Sequence, residues 1–394
     1  MNIIKSKMLK PGLVFSAPVY TEDKNILVPA NVPLRQKDID LLTAWNIAFV
    51  RTEGEIISSI PEPEEEPEAP SYKEATTARG EAIKFSISDV QQNTGPDRAY
   101  KNLIEKLDSV FAGINADVDV EMRIVDNICA QLLQDLRDYR DSFIDYILCG
   151  EITGHELAKS SVNTAILSAL TAQELKLPNH KILHIVAGAL LHDVGMLRLS
   201  KGILEKKGGL SDAELEQVKS HTLHTSKILS KELFSPREVN ITALQHHERW
   251  DGKGYPDHIL GPAIDIGARI VSVADAFEAM VSKKAYRSSM VGYQAIKNLM
   301  ADNSRRFDPA VISAFTKLMG IYPIGSIVQM NNGSLARVLK VHPDTPLRPT
   351  IQMLMSETGK VYKPGEGKIL DLLKDKTLFI KTAVDPVEFA KRNG

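Results

Sequence analysis

The chain has 394 residues, of which 43% are hydrophobic and 25% are charged, and its formal net charge is −2. This length allows roughly two or three domains, and the near-neutral charge argues against a nucleic-acid polymer held by bulk electrostatics. The two cysteines, Cys129 and Cys149, form neither a zinc-type spacing nor a disulfide framework, which favours a reducing compartment. No apolar run can span a bilayer and the N-terminus lacks a signal-peptide core, so we expect a cytoplasmic protein without a membrane segment.

Residues 1–58 predict a small β-rich N-terminal domain. Short apolar runs separated by turn-forming residues indicate strands, and a short helix over 39–47 precedes the last of them. The predicted strands are 13–15, 19–20, 26–28 and 48–50. No catalytic set of residues stands out here, which favours a regulatory or packing role.

Two connecting segments follow. Residues 59–95 are predicted to be a Pro/Glu-rich linker, because proline stiffens such a chain and carboxylates extend it. Residues 96–150 are predicted to be helical, because their apolar side chains recur with the helical period. The side chains that carry this period are Leu103, Ile104, Leu107, Val110, Phe111, Ile124, Ile128, Leu132 and Leu136. The helices are interpreted as a connecting bundle, and a signalling or dimerising helix pair, hence a homodimer, stays open.

Residues 151–320 predict an almost entirely α-helical core domain. Nine of the ten histidines lie within 155–258, which marks this part of the chain as the chemical centre. Residues 321–394 return to β character, with a hairpin signal at Asn331-Asn332-Gly333. The predicted fold class is therefore mainly α, with an all-α bundle flanked by small N-terminal and C-terminal β-rich segments.

Six side chains of the core domain can bind metal ions: His192, Asp193, His221, His246, His247 and Asp275. Four imidazoles and two carboxylates are too many for one tetrahedral zinc ion and suit two metal ions that share a carboxylate. Mixed nitrogen and oxygen ligands favour iron or manganese. Two such ions hold a bridging hydroxide and clamp the oxygens of an in-line displacement, so the residue types indicate metal-dependent phosphoester hydrolysis. We expect two divalent ions and leave a third open.

The adjacent pair His246 and His247 precedes a turn rich in glycine at 252–256, which cannot continue a helix. Both histidines are therefore predicted near a helix C-terminus. Adjacent side chains on a helix diverge by about 100°, so both reach one site only if the site is wide. A pair of metal ions is such a site.

These motifs, in this order, resemble the HD-GYP family, a branch of the HD phosphohydrolase superfamily. The matching stretches are 191–195, 219–221, 246–256 and 269–277, and the shorter stretches 285–287 and 307–309 also fit. The resemblance covers residues 150–320. It implies an all-α bundle that hydrolyses the bacterial second messenger cyclic di-GMP.

The resemblance also implies how the metal ligands divide. His192 and Asp193 would be the catalytic pair, with Asp193 bridging two metals. One position would be completed by His221, His246 and His247, and the other by His192 and Asp275.

Two departures from the family bear on turnover. Ser160 stands where the family usually has a metal-ligating histidine, and the family's optional glutamate ligand is matched by Glu156, one helical turn earlier on the same face. Met196 stands where the family often has a lysine that contacts substrate phosphate. Methionine can neither carry charge nor donate a hydrogen bond, so this phosphate contact is lost.

Substrate contacts are predicted at Lys253 and Arg287, which can meet phosphates, and at Tyr255, which can stack on a guanine. Tyr255 can equally pack under its own loop, and in the family this loop can present a surface to a diguanylate cyclase partner. Three functions stay open. They are an active or weakly active cyclic di-GMP phosphodiesterase, a degenerate relative that binds cyclic dinucleotide or partner proteins as a signalling effector, and another HD-type phosphohydrolase.

Overall fold

The computed structural model describes residues 2–20, 26–28, 30, 33–34, 39, 42, 48–59, 95–149, 155–204, 206, 208–282, 292–303, 305–342, 345–363, 365–375 and 377–384. The described residues up to 59 belong to one compact unit and those from 95 to 384 to a second. The elements confirm a mainly α protein with small strand-rich segments near both ends of the chain. Across the described ranges, every helix is too short or too polar to cross a membrane.

The N-terminal unit is built from six strands: β1 (Asn2–Lys5), β2 (Leu13–Phe15), β3 (Val19–Tyr20), β4 (Ile26–Val28), β5 (Phe49–Thr52) and β6 (Ile56–Ser59). Four of them form an antiparallel sheet in the order β1–β5–β3–β4, and β2 pairs with β6. The first three predicted strands are confirmed, and the fourth begins one residue later than predicted. The sequence does not predict β1 and β6, because each offers only two adjacent apolar residues and no alternation. The helix over 39–47 and the linker lie almost wholly outside the described residues.

Helices α1 (Gly95–Asn115) and α2 (Met122–Cys149) confirm the helical prediction for residues 96–150. Eight of the nine periodic apolar side chains are buried. The prediction that Ile124 faces inward is wrong, because its side chain is 46% exposed. The neighbouring Val125 is fully buried and takes the inward position. The inward face of α2 therefore begins one residue later than the pattern suggests.

The helical bundle continues through nine further helices among the described residues. They are α3 (Glu156–Glu174), α4 (Asn179–Leu191), α5 (Lys201–Leu204), α6 (Asp212–Lys219), α7 (His221–Lys231), α8 (Arg237–Gln245), α9 (Ile266–Val281), α10 (Gly292–Ala301) and α11 (Pro309–Met319). Helix α3 is buried on all sides from residue 161 to 172, so it is the central helix against which the others pack. This central position explains why polar side chains of α3 lie inside the bundle.

The C-terminal segment forms a five-stranded antiparallel sheet in the second unit. Its strands are β7 (Ile327–Met330), β8 (Leu335–Lys340), β9 (Thr350–Met355), β10 (Ile369–Asp371) and β11 (Ile380–Ala383), in the order β10–β9–β8–β7–β11. The predicted hairpin is confirmed, because Gly333 at φ 85° turns the chain between β7 and β8. A left-handed φ of this kind favours glycine.

Candidate metal centre

The site is assembled where three helices of the bundle end or begin, beside the middle of a fourth. Helix α4 ends at Leu191, and His192 and Asp193 follow it directly. His221 is the first residue of α7, and His246 is the cap that ends α8. Asp275 lies in the middle of α9. Helix ends can direct adjacent side chains into one place, whereas a continuous helix separates them by about 100°.

Three imidazoles are held in the same way. The Nδ1 atoms of His192, His221 and His246 lie 2.7, 2.6 and 2.7 Å from the carbonyl oxygens of the residues three positions earlier in the chain. A carbonyl oxygen only accepts, so each Nδ1 donates its hydrogen, and Nε2 is the ring atom that faces the site. Second contacts of this kind orient the histidines that ligate metals.

The Nε2 atoms converge on the Asp193 carboxylate from two sides. Asp193 Oδ1 lies 3.1 Å from His221 Nε2 and 3.7 Å from His246 Nε2. Asp193 Oδ2 lies 3.5 Å from His192 Nε2, which in turn lies 3.6 Å from Asp275 Oδ1. Each oxygen of Asp193 therefore faces a different set of ligand atoms.

The adjacent histidines do reach one site. Because α8 ends at Gln245, the rings of His246 and His247 come to a centroid distance of 4.0 Å. Metal-capable atoms of Asp193, His221, His246 and His247 all lie within 4.8 Å of one another.

The electrostatic surroundings give the histidines of the cluster different pKa values. Burial lowers the pKa of His247 to about 4 and holds that of His246 well below its usual value. Burial also acts to lower the pKa of His192, but the charges of Asp193 and Asp275 outweigh it and raise the pKa to about 9. Partial burial opposes ionisation of Asp193, yet the surrounding histidines, led by His192, hold its pKa well below its usual range.

The arrangement fits a metal ion. In the described part of the chain, the buried Nε2 atoms of His192, His221 and His246 have no hydrogen-bond partner. A lone pair aimed at a carboxylate at 3.1 to 3.7 Å is unfavourable unless a cation lies between them. A divalent ion satisfies both groups, and imidazole with carboxylate is a ligand set that iron, manganese and zinc accept.

Glycine and threonine hold the His192-Asp193 segment against α7. The Gly195 amide donates to Thr225 Oγ1 at 2.9 Å, and Thr225 Oγ1 donates to the His192 carbonyl at 3.0 Å. A Cβ on Gly195 would lie 2.1 Å from the carbonyl oxygen of His221. Only glycine allows this approach, so the distance between the two metal-facing segments depends on it.

The loop over the site is held by Glu248. This buried carboxylate accepts hydrogen bonds from the amides of Asp257 at 2.7 Å and Ile259 at 3.0 Å, which closes the loop onto the end of α8. A Cβ on Gly254 would lie 2.3 Å from the Arg249 nitrogen, so the loop needs glycine there. The loop brings the Tyr255 ring to 4.8 Å from the His247 ring.

The other residues predicted for the site do not belong to the metal-capable cluster among the described residues. Lys253 is exposed, and Arg287 lies outside the described residues. Glu156 is exposed as the first residue of α3, and among the described residues it is not part of the metal-capable cluster. Ser160 Oγ donates to Glu278 Oε2 at 2.7 Å.

The sequence reasoning did not single out three charged residues near the site. Glu278 is 1% exposed and lies one turn after Asp275 on α9. Lys219 Nζ lies 5.7 Å from the centre of the Tyr255 ring. Arg306 lies in the segment that pairs with the loop. The helical spacing to Asp275 indicates Glu278, whereas Arg306 carries no local signal because its position depends on a contact with Trp250, 56 positions earlier.

Comparison with known proteins matches residues 150–311 to the family described as an HD domain, and residues 327–392 to a KOW domain associated with HD domains. The chain is 26% identical over 373 residues to the cyclic di-GMP phosphodiesterase PdeB of Borreliella burgdorferi, covering 94% of this chain and 92% of that protein. It is 34% identical over 216 residues to the cyclic di-GMP phosphodiesterase PA4108 of Pseudomonas aeruginosa, covering 54% and 50%.

A third relative has a different named substrate. The chain is 33% identical over 167 residues to the 3'3'-cGAMP-specific phosphodiesterase 3 of Vibrio cholerae, covering 42% of this chain and 36% of that protein. The chain therefore spans nearly all of the Borreliella relative, but half or less of the other two.

Proposed function

The chain belongs to the HD-GYP family of HD-domain phosphodiesterases, and we propose that it hydrolyses cyclic di-GMP to pGpG or GMP. The observation that carries this proposal is the convergence of three partnerless Nε2 atoms on the Asp193 carboxylate. A buried, imidazole-rich cluster of this kind is built to bind metal ions.

The ligand division implied by the family is supported by the two-sided contacts of Asp193. Its Oδ1 atom would serve the position formed with His221, His246 and His247, and its Oδ2 atom the position formed with His192 and Asp275. Iron or manganese is the proposed metal, because the ligands are nitrogen and oxygen only. When bound, the metal ions make water a nucleophile at neutral pH and stabilise charge on the phosphoryl oxygens.

The protein itself orients the metal-binding rings and leaves one side of the site accessible to a substrate. The backbone carbonyls that hold Nδ1 of His192, His221 and His246 fix the rings before substrate arrives, which lowers the reorganisation needed during the reaction. Asp193 is 24% exposed and Asp275 19%, so the cluster is open to a substrate on one side. Tyr255 forms part of that open side and offers an aromatic face to a guanine base.

Turnover is expected to be slow. Ser160 is engaged with Glu278, so its hydroxyl already has a partner and does not replace a histidine ligand. Met196 is partly buried beside the site and supplies no charge for a phosphate. These two positions also favour the alternative function, in which the chain binds cyclic dinucleotide or partner proteins as a signalling effector without hydrolysis.

Anaerobically purified protein loaded with Fe²⁺ or Mn²⁺ tests the proposal. We expect release of pGpG or GMP from cyclic di-GMP, and loss of at least about a hundredfold in kcat for His246→Ala and Asp193→Ala, because each removes a metal ligand. His224→Ala is the matched control, since His224 lies on α7 outside the cluster. Binding without turnover in metal-loaded protein would leave the effector function standing. Protein that retains no metal would exclude the metal-dependent enzyme and favour a chain that acts by binding partner proteins.

A double variant separates a slow enzyme from a degenerate one. Ser160→His combined with Met196→Lys should raise kcat/KM, since it restores a ligand and a phosphate contact. An unchanged rate would place the limitation elsewhere. A diguanylate cyclase partner at the Gly-Tyr-Pro loop stays a prediction, for which the exposed Lys253 on that loop is a suitable position to disrupt. A homodimer through the helices of residues 96–150 also stays a prediction.

A further inference from the structure

Arg306 is a partly buried cation whose backbone is bonded to the loop that covers the metal centre. It lies between α10 and α11, where the Trp250 amide donates to the Arg306 carbonyl at 3.0 Å and the Asp251 amide donates to the Arg305 carbonyl at 2.9 Å. These two backbone bonds attach the segment to the loop between His247 and Tyr255. The position of Arg306 is therefore set by the same loop that covers the metal site.

The segment that carries Arg306 is packed against its neighbours at Phe307 and Asp308. Arg306 Cζ lies 5.0 Å from the centre of the Phe307 ring, which is 3% exposed. The next residue, Asp308, accepts from Arg269 Nη1 at 2.7 Å, and Arg269 in turn lies over the Trp250 ring. The guanidinium of Arg306 is thus presented from an ordered surface.

Within the described ranges, the guanidinium of Arg306 has no anion to balance it. Among the residues that the structure describes, none accepts a hydrogen bond from the Arg306 side chain and no carboxylate lies within 4.0 Å of it. Its neighbour Arg305 differs, because Arg305 Nη2 pairs with Asp302 Oδ1 at 3.1 Å and its side chain is 69% exposed. A partly buried and unpaired cation next to a reaction site is suited to an anionic ligand.

Arg306 and the metal-site carboxylates act on the same phenol. Burial raises the pKa of Tyr255, and Asp193 and Asp275 raise it further, whereas Arg306 acts to lower it. Opposite charges therefore lie within electrostatic range of one side chain. Lys219 adds a second cation 5.7 Å from the Tyr255 ring centre, although it is already paired with Glu216 at 2.6 Å.

A cyclic dinucleotide carries two phosphodiester groups, each with one negative charge. The metal centre engages the group that reacts, and the other group is drawn into the site as an anion that needs a counter-charge. A guanidinium matches a phosphate through two parallel hydrogen bonds. We propose that Arg306 binds the non-reacting phosphate and so selects cyclic dinucleotides over substrates with one phosphodiester. This inference rests on the proposed function.

Arg306→Met is the test, because methionine keeps an apolar stem over Phe307 and removes the charge. We expect KM for cyclic di-GMP to rise about tenfold with kcat little changed, as befits one charge-assisted hydrogen-bonded contact. Hydrolysis of bis(p-nitrophenyl) phosphate, which has a single phosphodiester, should stay the same. Arg305→Met is the matched control, and it should leave the hydrolysis of both substrates unchanged.

Calorimetric binding of cyclic di-GMP to the metal-loaded parent and to both variants separates this inference from the proposed function. Weaker binding in Arg306→Met alone supports the inference even if the parent does not turn over. Equal binding in all three proteins, or an equal loss toward both substrates, overturns it. A parent that neither binds nor hydrolyses cyclic di-GMP overturns the inference and the proposed function together.

Discussion

At the scale of single residues, close contacts at the site leave no room for a larger side chain. Gly195 is the sharpest case, since any side chain there would collide with the backbone of α7 at His221. The same helix holds the Gly195 amide through Thr225. A change of one methyl group at this position therefore alters the distance between two groups of metal ligands.

Gly195→Ala should separate the His192-Asp193 segment from α7. We expect a loss of about 1–3 kcal/mol in the free energy of unfolding, because overpacking forces the backbone apart. Metal content after purification should fall with it. Gly202→Ala is the control, since a Cβ there meets nothing within 4 Å. Normal stability and metal content in Gly195→Ala would show that the segment adapts without cost.

Binding of a metal ion to the centre should release a proton from its ligands. In the metal-free protein the pKa of His192 is raised to about 9, so its ring is protonated at neutral pH. A metal ligand must be deprotonated, and binding at pH 7.5 should release about one proton from His192. Apparent affinity should rise with pH up to about 9 and then level off. Calorimetry in buffers of different ionisation enthalpy measures the release, and an identical heat in all buffers would contradict it.

At the scale of elements, a buried polar network joins α1, α3 and α9. The Tyr100 hydroxyl donates to Asn163 Oδ1, and Asn163 Nδ2 donates to Glu278 Oε1 at 3.2 Å. Glu278 also accepts from Ser160 at 2.7 Å and from Ser282 at 2.5 Å. Burial, with Glu278 nearby, raises the pKa of the Tyr100 phenol, so it keeps its proton and donates. The network connects the helix that follows the linker to the helix that carries Asp275.

Tyr100→Phe should destabilise the bundle by about 1–3 kcal/mol, because it leaves the buried Asn163 oxygen without a donor. Urea denaturation measures this loss. Ser109→Ala on the exposed face of α1 is the control, since its hydroxyl bonds only to its own helix. If metal affinity also falls in Tyr100→Phe, then α1 influences the position of Asp275, and an unchanged affinity would limit the network to stability.

At the scale of the whole molecule, the functional part is the helical bundle of the second unit. Helix α3 is buried within it, and the metal-capable side chains come from α7 and α9 and from the residues that follow α4 and α8. The C-terminal sheet is fitted to the bundle at Gly320, where φ is 72° and a Cβ would lie 2.5 Å from Val341 Cγ1. The division of the chain into five segments stays a prediction, as do its cytoplasmic location and its oligomeric state.

The local sequence was sufficient for much of this architecture. Apolar periodicity predicted α1 and α2, and the Asn331-Asn332-Gly333 turn predicted the β7–β8 hairpin, because both signals act over neighbouring residues. The same reasoning failed at Ile124, where Val125 packs inward instead. It also missed β1 and β6, whose two apolar residues show no alternation until partner strands cover them.

The sequence by itself determined which ligands exist, their order along the chain and the family to which they point. Only the tertiary structure decided how they meet. The two-sided approach to Asp193 and the attachment of Arg306 to the loop before Tyr255 depend on contacts between residues 28 to 83 positions apart. The backbone contacts of the three Nδ1 atoms are local, but they serve one site only because those long-range contacts bring the rings together. Local preferences set which helices form, but contacts over such separations follow from how the whole bundle buries its apolar faces.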